Sequence, residues 1–297
     1  MGNMNSINNW ILAVRPKTLP AAIGPVLIGF ALAFRENAHH TISVLLALTV
    51  AVLIQIGTNL VNDYSDFRKG ADTSDRIGPI RVTQAGLITS EEMKIGMAVV
   101  LLLIILFSIP LILRGGTPIL IIGIISVISG IIYTAGPFPL GYKGLGDIFV
   151  LVFFGPVAVG GTYYLQTFEL NPTVLLSGLG PGFLSMAILC VNNLRDYNND
   201  KVSKKNTLVV LFGKSFGKYE YLFSIIISSV IPILIFILGE KINYSILVIL
   251  ILIPAIKPLK IILNGGEGVI LNEMLGYTGK LLLVYSIVYS IGWQFVF

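Results

Sequence analysis

The sequence is short of charge. Only 12% of its 297 residues are Asp, Glu, Lys or Arg, against about 25% in soluble domains. A water-facing surface cannot be built from so few polar groups, which excludes an ordinary soluble globule. Cysteine is almost absent: Cys190 stands alone, so no internal disulfide forms. Histidine is scarce too, with two residues. Within the acidic segments no His or Cys occurs, which leaves only oxygen donors for a metal there. The chain also lacks the short alternating runs of a membrane barrel. Residues Met1–Trp10 carry no charge cluster. No small-residue cleavage site follows the first apolar run, so neither signal nor transit peptide is expected. The net charge of +5 raises nucleic acid as a partner, but the charges sit at the ends of apolar runs, so no nucleic acid is expected.

What remains is apolar sequence. Hydrophobic residues make up 55% and the mean hydropathy is +0.88. A spanning helix needs roughly 20 mainly apolar residues. The runs predict an all-α, polytopic membrane protein with nine transmembrane helices, read as one domain over 1–297. The expected spans are Pro20–Phe34, Thr41–Val61, Ile95–Leu113, Pro118–Tyr133, Ile148–Leu165, Thr173–Leu194, Tyr219–Leu238, Tyr244–Ile262 and Lys280–Phe297. With the N-terminus in the cytoplasm, only Arg35, Arg114 and Lys241 of the 20 basic residues fall outside. That bias is the positive-inside pattern. It puts the C-terminus outside and the long polar connections, 62–94 and 195–218, on the cytoplasmic face of the cell membrane. Function is expected there, because exposed connections carry chemistry more often than tight turns.

Those two connections open on acidic clusters. The first runs from Thr58 to Arg81 and contains Asn59, Asn62, Asp63, Asp66, Asp72 and Asp75. The second runs from Val191 to Thr207 and contains Asn192, Asn193, Asp196, Asn198, Asn199 and Asp200. Val61-Asn62 and Asp66 match Val191-Asn192 and Asp196 at a constant offset, a weak internal repeat of the kind that faces two helix ends across a cavity. Spacings of three and four place Asn59, Asn62, Asp63 and Asp66 on one helical face, and likewise Asn192, Asp196 and Asp200. So many carboxylates repel unless a cation or hydrogen bonds satisfy them. Oxygen-only donors point to a hard cation, and Mg²⁺ is the usual one where phosphates complete the shell. Interleaved bases (Arg68, Lys69, Arg76, Arg81, Arg195, Lys201, Lys204, Lys205) suggest a diphosphate partner. Two other readings stand beside this one. The charges are ordinary solvated loop residues, or the chain is a cation-coupled transporter, whose ionisable groups belong nearer the bilayer midplane.

Smaller features add to the cavity. Gln55 lies one turn above Asn59 inside a span, and polar groups there face the bundle interior. Arg15 precedes the first span and either meets lipid phosphates or lines the cavity. Gly136–Gly146, GPFPLGYKGLG, reads as a tight or re-entrant turn in which Lys143 meets a phosphate or serves only as a connector.

These segments together resemble the UbiA-type intramembrane aromatic prenyltransferases, most closely their menaquinone branch. The resemblance is carried by RPKTLPAAIGP at Arg15–Pro25, the run Gln55–Arg81, the run Tyr133–Pro156 and NNLRDYNNDKVSKKNTLVV from Asn192. It implies nine helices around a central cavity open sideways to lipid. It implies a polyprenyl diphosphate donor held through Mg²⁺ by Asn62, Asp63, Asp66 and Asp72 and by Asn192, Asp196 and Asp200. It implies 1,4-dihydroxy-2-naphthoate as acceptor, with 4-hydroxybenzoate as the alternative. Arg81, Lys143 and Tyr133 correspond to the family's basic and tyrosine helpers, beside Asp66 and Asp196. Gln55, Asn59, Arg15, Arg68, Lys204 and Lys205 are expected to bind substrate. Membrane lipid is the surrounding partner, and no obligate protein partner is expected.

Overall fold

The computed structural model describes residues 2–70, 78, 80–239, 241 and 243–295. Asp72, Asp75 and Arg76 lie outside the described residues. The elements are helices: α1 (Gly2–Val14), α2 (Pro20–Arg35), α3 (Thr41–Arg68), α4 (Ser90–Ile132), α5 (Gly146–Val152), α6 (Ala158–Thr167), α7 (Pro172–Val202), α8 (Leu208–Phe212), α9 (Lys214–Ile237), α10 (Leu252–Leu263) and α11 (Val269–Trp293). Among the described residues seven segments are long and apolar enough to cross a membrane. The count is eight if residues 6–18 and α2, bent by 52°, form one span.

Local chemistry starts and breaks these helices. The His40 ring accepts from the Ser43 amide to open α3, and Thr89 and Glu92 form a reciprocal cap on α4. Asn171 caps α7, with Pro172 at its first position. The 43-residue α4 contains one non-helical residue, Gly116 (φ 66°, ψ −153°), with Pro118 beyond it. At 1.5 Å per residue a straight helix of that length is about twice the thickness of a hydrocarbon core. Both arms line one apolar groove beside α3: Met97, Val100 and Ile104 from the first, Val127, Gly130 and Ile131 from the second.

The sequence predicts nine spans, whereas seven or eight long apolar helices are found among the described residues, two of the expected spans falling on the single element α4; further differences lie at helix ends. α3 runs on to Arg68 and α7 to Val202, so Asn62, Asp63 and Asp66 of the first cluster and Asn192, Asp196 and Asp200 of the second lie on helix rather than loop. The last helix begins at Val269, not Lys280. Its early turns carry Asn272 and Thr278, which read as too polar for a span. Asn272 instead accepts from Arg195, and Thr278 bonds the Tyr221 hydroxyl at 2.9 Å. Lys280 is therefore an exposed residue within α11.

The main core joins α2, α6, α7, α9, α10 and α11 around Ile28, Leu184, Tyr221 and Tyr285. α4 buries few of its residues and turns Leu102, Ile105 and Ile124 outward. Lipid is the natural solvent for such a face. Between α5 and α6 the chain forms one π-type turn at Phe153–Val157, where Gly155 leaves helical geometry. This bend presses on a glycine seam of α7. A side-chain carbon at Gly178 would stand 2.7 Å from the Pro156 backbone, and one at Gly182 2.5 Å from the Leu151 carbonyl. The close approach carries Phe149, Phe153 and Phe154 to the wall of the cavity described below.

Gly178→Ala is expected to destabilise the protein by about 1–3 kcal/mol, since backbone rather than a movable side chain opposes the new methyl. A melting midpoint in detergent micelles equal to wild type would contradict this.

Candidate active site

The C-terminal end of α3 is bound to its neighbours by amides. Asn59 Nδ2 donates to the Val14 carbonyl at 2.8 Å and to Thr18 Oγ1 at 3.0 Å. Gln55 Nε2 donates to Thr18 Oγ1 at 3.1 Å. Both side chains thus hold the turn between α1 and α2. In that turn Arg15 takes the left-handed conformation (φ 54°), uncommon for a residue with a side chain. Its guanidinium is brought within 3.7 Å of Asp63 Oδ2. The other Asp63 oxygen accepts from the Thr83 amide at 3.1 Å. Asp63 thereby ties the start of the chain and the α3–α4 connection to one helix.

One turn on, Asp66 is equally buried. Its Oδ2 accepts from Arg81 at 2.9 Å and its Oδ1 from the Tyr142 hydroxyl at 2.9 Å. Asn62 Oδ1 accepts from Thr134 Oγ1 at 2.6 Å. The second acidic end is arranged differently. Arg195 forks onto both oxygens of its neighbour Asp196 at 2.8 and 2.7 Å. The same guanidinium donates to Asn192 at 2.7 Å and to Asn272 of α11 at 2.8 Å. Asp200 Oδ1 stands 3.7 Å from Lys205 Nζ. Each of these acids lies in a buried position that unopposed charge would make costly.

A cavity of about 250 Å³ opens between the two ends. Its polar wall comprises Arg15, Thr18, Gln55, Asn59, Asn62, Asp66, Arg81, Tyr133, Thr134, Asn192 and Lys205. The rest of the wall is mainly apolar, including Ile54, Phe149, Phe153, Phe154, Ile188 and Leu275. Nine sequence-predicted site residues thus meet there: Arg15, Gln55, Asn59, Asn62, Asp66, Arg81, Tyr133, Asn192 and Lys205. Asp63, Asp196 and Asp200 stand behind the wall rather than on it. Arg68 is exposed, with a single long contact to Tyr64 at 3.5 Å. Lys204 is exposed and left-handed (φ 56°). Lys143 is exposed, its ammonium 5.3 Å from the Phe138 ring. These three do not face the cavity. Among the described residues no three His, Cys, Asp or Glu side chains gather closely enough to hold a metal by themselves. The donor chemistry still suits a hard cation: every candidate is an oxygen, and the buried Asp63 Oδ2 accepts no hydrogen bond.

Sequence reasoning placed Lys69 only among the interleaved bases and did not single out Tyr142, Thr134 or Asn272. Lys69 Nζ donates to the Thr134 carbonyl and lies 4.5 Å from the Tyr142 ring centre. Partial burial lowers its pKa below the usual lysine value, Asp66 opposes the shift, and Lys205 adds to it. Helical phase separates it from Arg68: a rotation of one residue turns one base outward and the next toward the site. Tyr142 sits in the glycine-rich connection, where no periodicity predicts which side chain turns inward.

A multi-pass helical membrane protein with two acidic helix ends, each met by cations, beside one amphipathic cavity is the class these features define. The UbiA prenyltransferase family model matches residues 22–264, and the chain belongs to that family. It is 46% identical over 211 residues to the 1,4-dihydroxy-2-naphthoate octaprenyltransferase of Escherichia coli K12, covering 69% of this chain and 68% of that protein. With the Mycobacterium leprae protein of the same name it shares 32% identity over 284 residues, 96% of this chain and 95% of the other. A UbiA homolog from Archaeoglobus fulgidus, solved with GPP and Mg²⁺, superposes with a TM-score of 0.63 at 19% identity, covering 95% of this chain and 99% of that one.

Arg195 is the clamp of the second acidic end. Arg195→Leu leaves Asp196 buried without its guanidinium and is expected to cost about 3–5 kcal/mol. Adding Asp196→Asn should restore part of that loss in a thermal melt. A double variant no more stable than the single one would show that the pair is not the source.

Proposed function

We propose that this protein transfers a polyprenyl group from a polyprenyl diphosphate to 1,4-dihydroxy-2-naphthoate, with loss of CO₂, to give demethylmenaquinol for menaquinone biosynthesis. The observation that carries the proposal is the cavity itself. One wall bears Asp66, Arg81, Arg15 and Lys205, and the opposing surface is apolar and aromatic. A diphosphate demands the first wall and a prenyl chain with an aromatic ring demands the second. The relatives' names support the choice of acceptor.

The residues divide the work. Arg81 and Lys205 face the diphosphate and stabilise the charge that develops as the allylic C–O bond breaks and the electron pair leaves with oxygen. Asp66 and Asp63, with Asn62, and Asp196 and Asp200, with Asn192, would hold Mg²⁺; Asp72 is assigned to the same set from the family pattern. When bound, Mg²⁺ supplies further neutralisation of the leaving diphosphate. Phe149, Phe153 and Phe154 keep water from the allylic cation, which water would otherwise hydrolyse. The ring carbon that carries the carboxylate attacks the cation. Departure of CO₂ returns the bonding electrons to the ring and restores aromaticity.

The same reading extends to architecture. We take the chain as a single domain with nine spans around this central cavity: α4 crosses twice, reversing at Gly116, and the bent pair at the start counts once. Charge asymmetry puts the N-terminus and the active site at the cytoplasmic face of the cell membrane and the C-terminus outside.

Membranes containing the protein, supplied with a polyprenyl diphosphate, dihydroxynaphthoate and Mg²⁺, are expected to form a prenylated, decarboxylated product that chelation of Mg²⁺ abolishes. Asp66→Asn and Asp196→Asn should each slow turnover by about 10²-fold or more. Absence of product from wild type would overturn the acceptor, and wild-type turnover in either variant would remove that residue from the site. For topology, a Cys190→Ala background allows single-cysteine labelling. Asn37→Cys should react with an impermeant maleimide from outside intact cells and Ser203→Cys only after lysis; the reverse pattern would invert the orientation.

A further inference from the structure

Tyr142 is half-buried at the end of a single 3-10 turn, Leu140–Tyr142. Two backbone bonds tie that turn to the site. The Gly141 amide donates to the Tyr133 carbonyl at 2.9 Å, and the Asn206 amide donates to the Tyr142 carbonyl at 3.2 Å. The turn therefore moves with the end of α4 and with the connection after α7. From this anchored backbone the side chain reaches three charged groups. Its hydroxyl donates to Asp66 Oδ1 at 2.9 Å, while Arg81 takes the other oxygen, so the carboxylate plane is set from both sides. Its ring lies 4.5 Å from Lys69 Nζ and 5.6 Å from Lys205 Nζ.

Two ammonium groups near one ring repel each other. The electron-rich face of a tyrosine offsets part of that repulsion and draws both cations toward it within about 6 Å. Such contacts are weak beside a charge-assisted bond to phosphate. The ring adds to the partners these lysines already have, the Thr134 carbonyl for Lys69 and Asp200 for Lys205, and gathers the two on one side. They come from different elements: Lys69 follows α3, and Lys205 belongs to the α7–α8 connection and lines the cavity. A doubly charged or more highly charged anion arriving beside Asp66 finds both within reach of one spot.

We propose that Tyr142 is a positioning residue for diphosphate: its hydroxyl orients Asp66, and its ring preassembles Lys69 and Lys205 into one anion-binding pair. This rests on the prenyl-transfer reading of the cavity and adds to it a residue that separates two effects. The hydroxyl acts through Asp66 on turnover. The ring acts through the lysines on diphosphate affinity.

The test uses the purified full chain in micelles, with inorganic pyrophosphate and Mg²⁺ as the binding probe followed by calorimetry, alongside kcat, KM and the melting midpoint. Tyr142→Phe keeps the ring and loses the hydroxyl. It should bind pyrophosphate within about twofold of wild type while kcat falls about tenfold, in keeping with the loss of one hydrogen bond to a charged group. Tyr142→Leu loses both and should in addition bind pyrophosphate roughly tenfold more weakly. If Tyr142→Leu does not fold, Lys69→Met carries the affinity arm and should weaken pyrophosphate binding about fivefold. Equal affinity in Phe, Leu and wild-type proteins, or wild-type affinity in Lys69→Met, overturns the ring's role. Wild-type kcat in Tyr142→Phe overturns the hydroxyl's. Should wild type bind pyrophosphate yet prenylate no dihydroxynaphthoate, the acceptor falls while the positioning role stands. Should wild type bind none, both fall.

Discussion

Carboxylates buried at one end of a membrane bundle persist only when something positive meets them, and the architecture of this protein is organised around that requirement. Asp63, Asp66, Asp196 and Asp200 are all buried. Arg15, Arg81, Arg195 and Lys205 respectively meet them. The partners come from different parts of the chain. Arg15 belongs to the first turn, Arg81 to the α3–α4 connection, and Arg195 and Lys205 to the α7 end and the connection that follows. Satisfying the charges therefore fastens the polar connections over the cavity. The same groups that stabilise this end of the bundle are those a bound diphosphate would address, so structure and chemistry draw on one set of ion pairs.

The two acidic ends are related in sequence but are not equivalent in space. Asp66 reaches the cavity wall and receives its bonds from Arg81 and Tyr142, groups that also border the cavity or its rim. Asp196 does not line the cavity wall and is forked by the adjacent Arg195, which extends to Asn192 and to Asn272 on α11. The first end offers its carboxylate directly, and the second is stiffened from behind. α11 is thus part of the site's scaffold. Its polar early turns, too polar to read as a span, are explained by the partners they find in the bundle.

Much of the fold was legible from residues alone, because a lipid solvent leaves few alternatives. Apolar runs of sufficient length have to be helices, so the helices follow the order of the runs, although nine expected spans stand against seven or eight long apolar helices among the described residues. The errors fall at helix ends, where α3, α7 and α11 extend beyond their apolar stretches. Polar residues there look like loop in sequence, yet helical hydrogen bonding continues wherever side chains find partners. For the site, spacing pointed to Gln55, Asn59, Asn62, Asp66 and Asn192 of the polar wall, while Tyr133 entered through the family resemblance. Lys143, Arg68 and Lys204 were expected at the cavity by charge and proximity, and the structure turns them outward. Lys69 stood in sequence as one base among several, and Tyr142 went unnoticed because it belongs to no periodic pattern.

The sequence by itself determined that this is a helical membrane protein with two related acidic helix ends facing the same side, since composition and spacing act locally and lipid enforces the outcome. Which base meets which acid was decided only by the tertiary structure. A lysine or arginine stem reaches in several directions with little intrinsic preference. Only the packed bundle selects one, by burying Arg195 against Asp196, holding Arg15 in a left-handed turn, and bringing Lys69 and Lys205 to the ring of Tyr142.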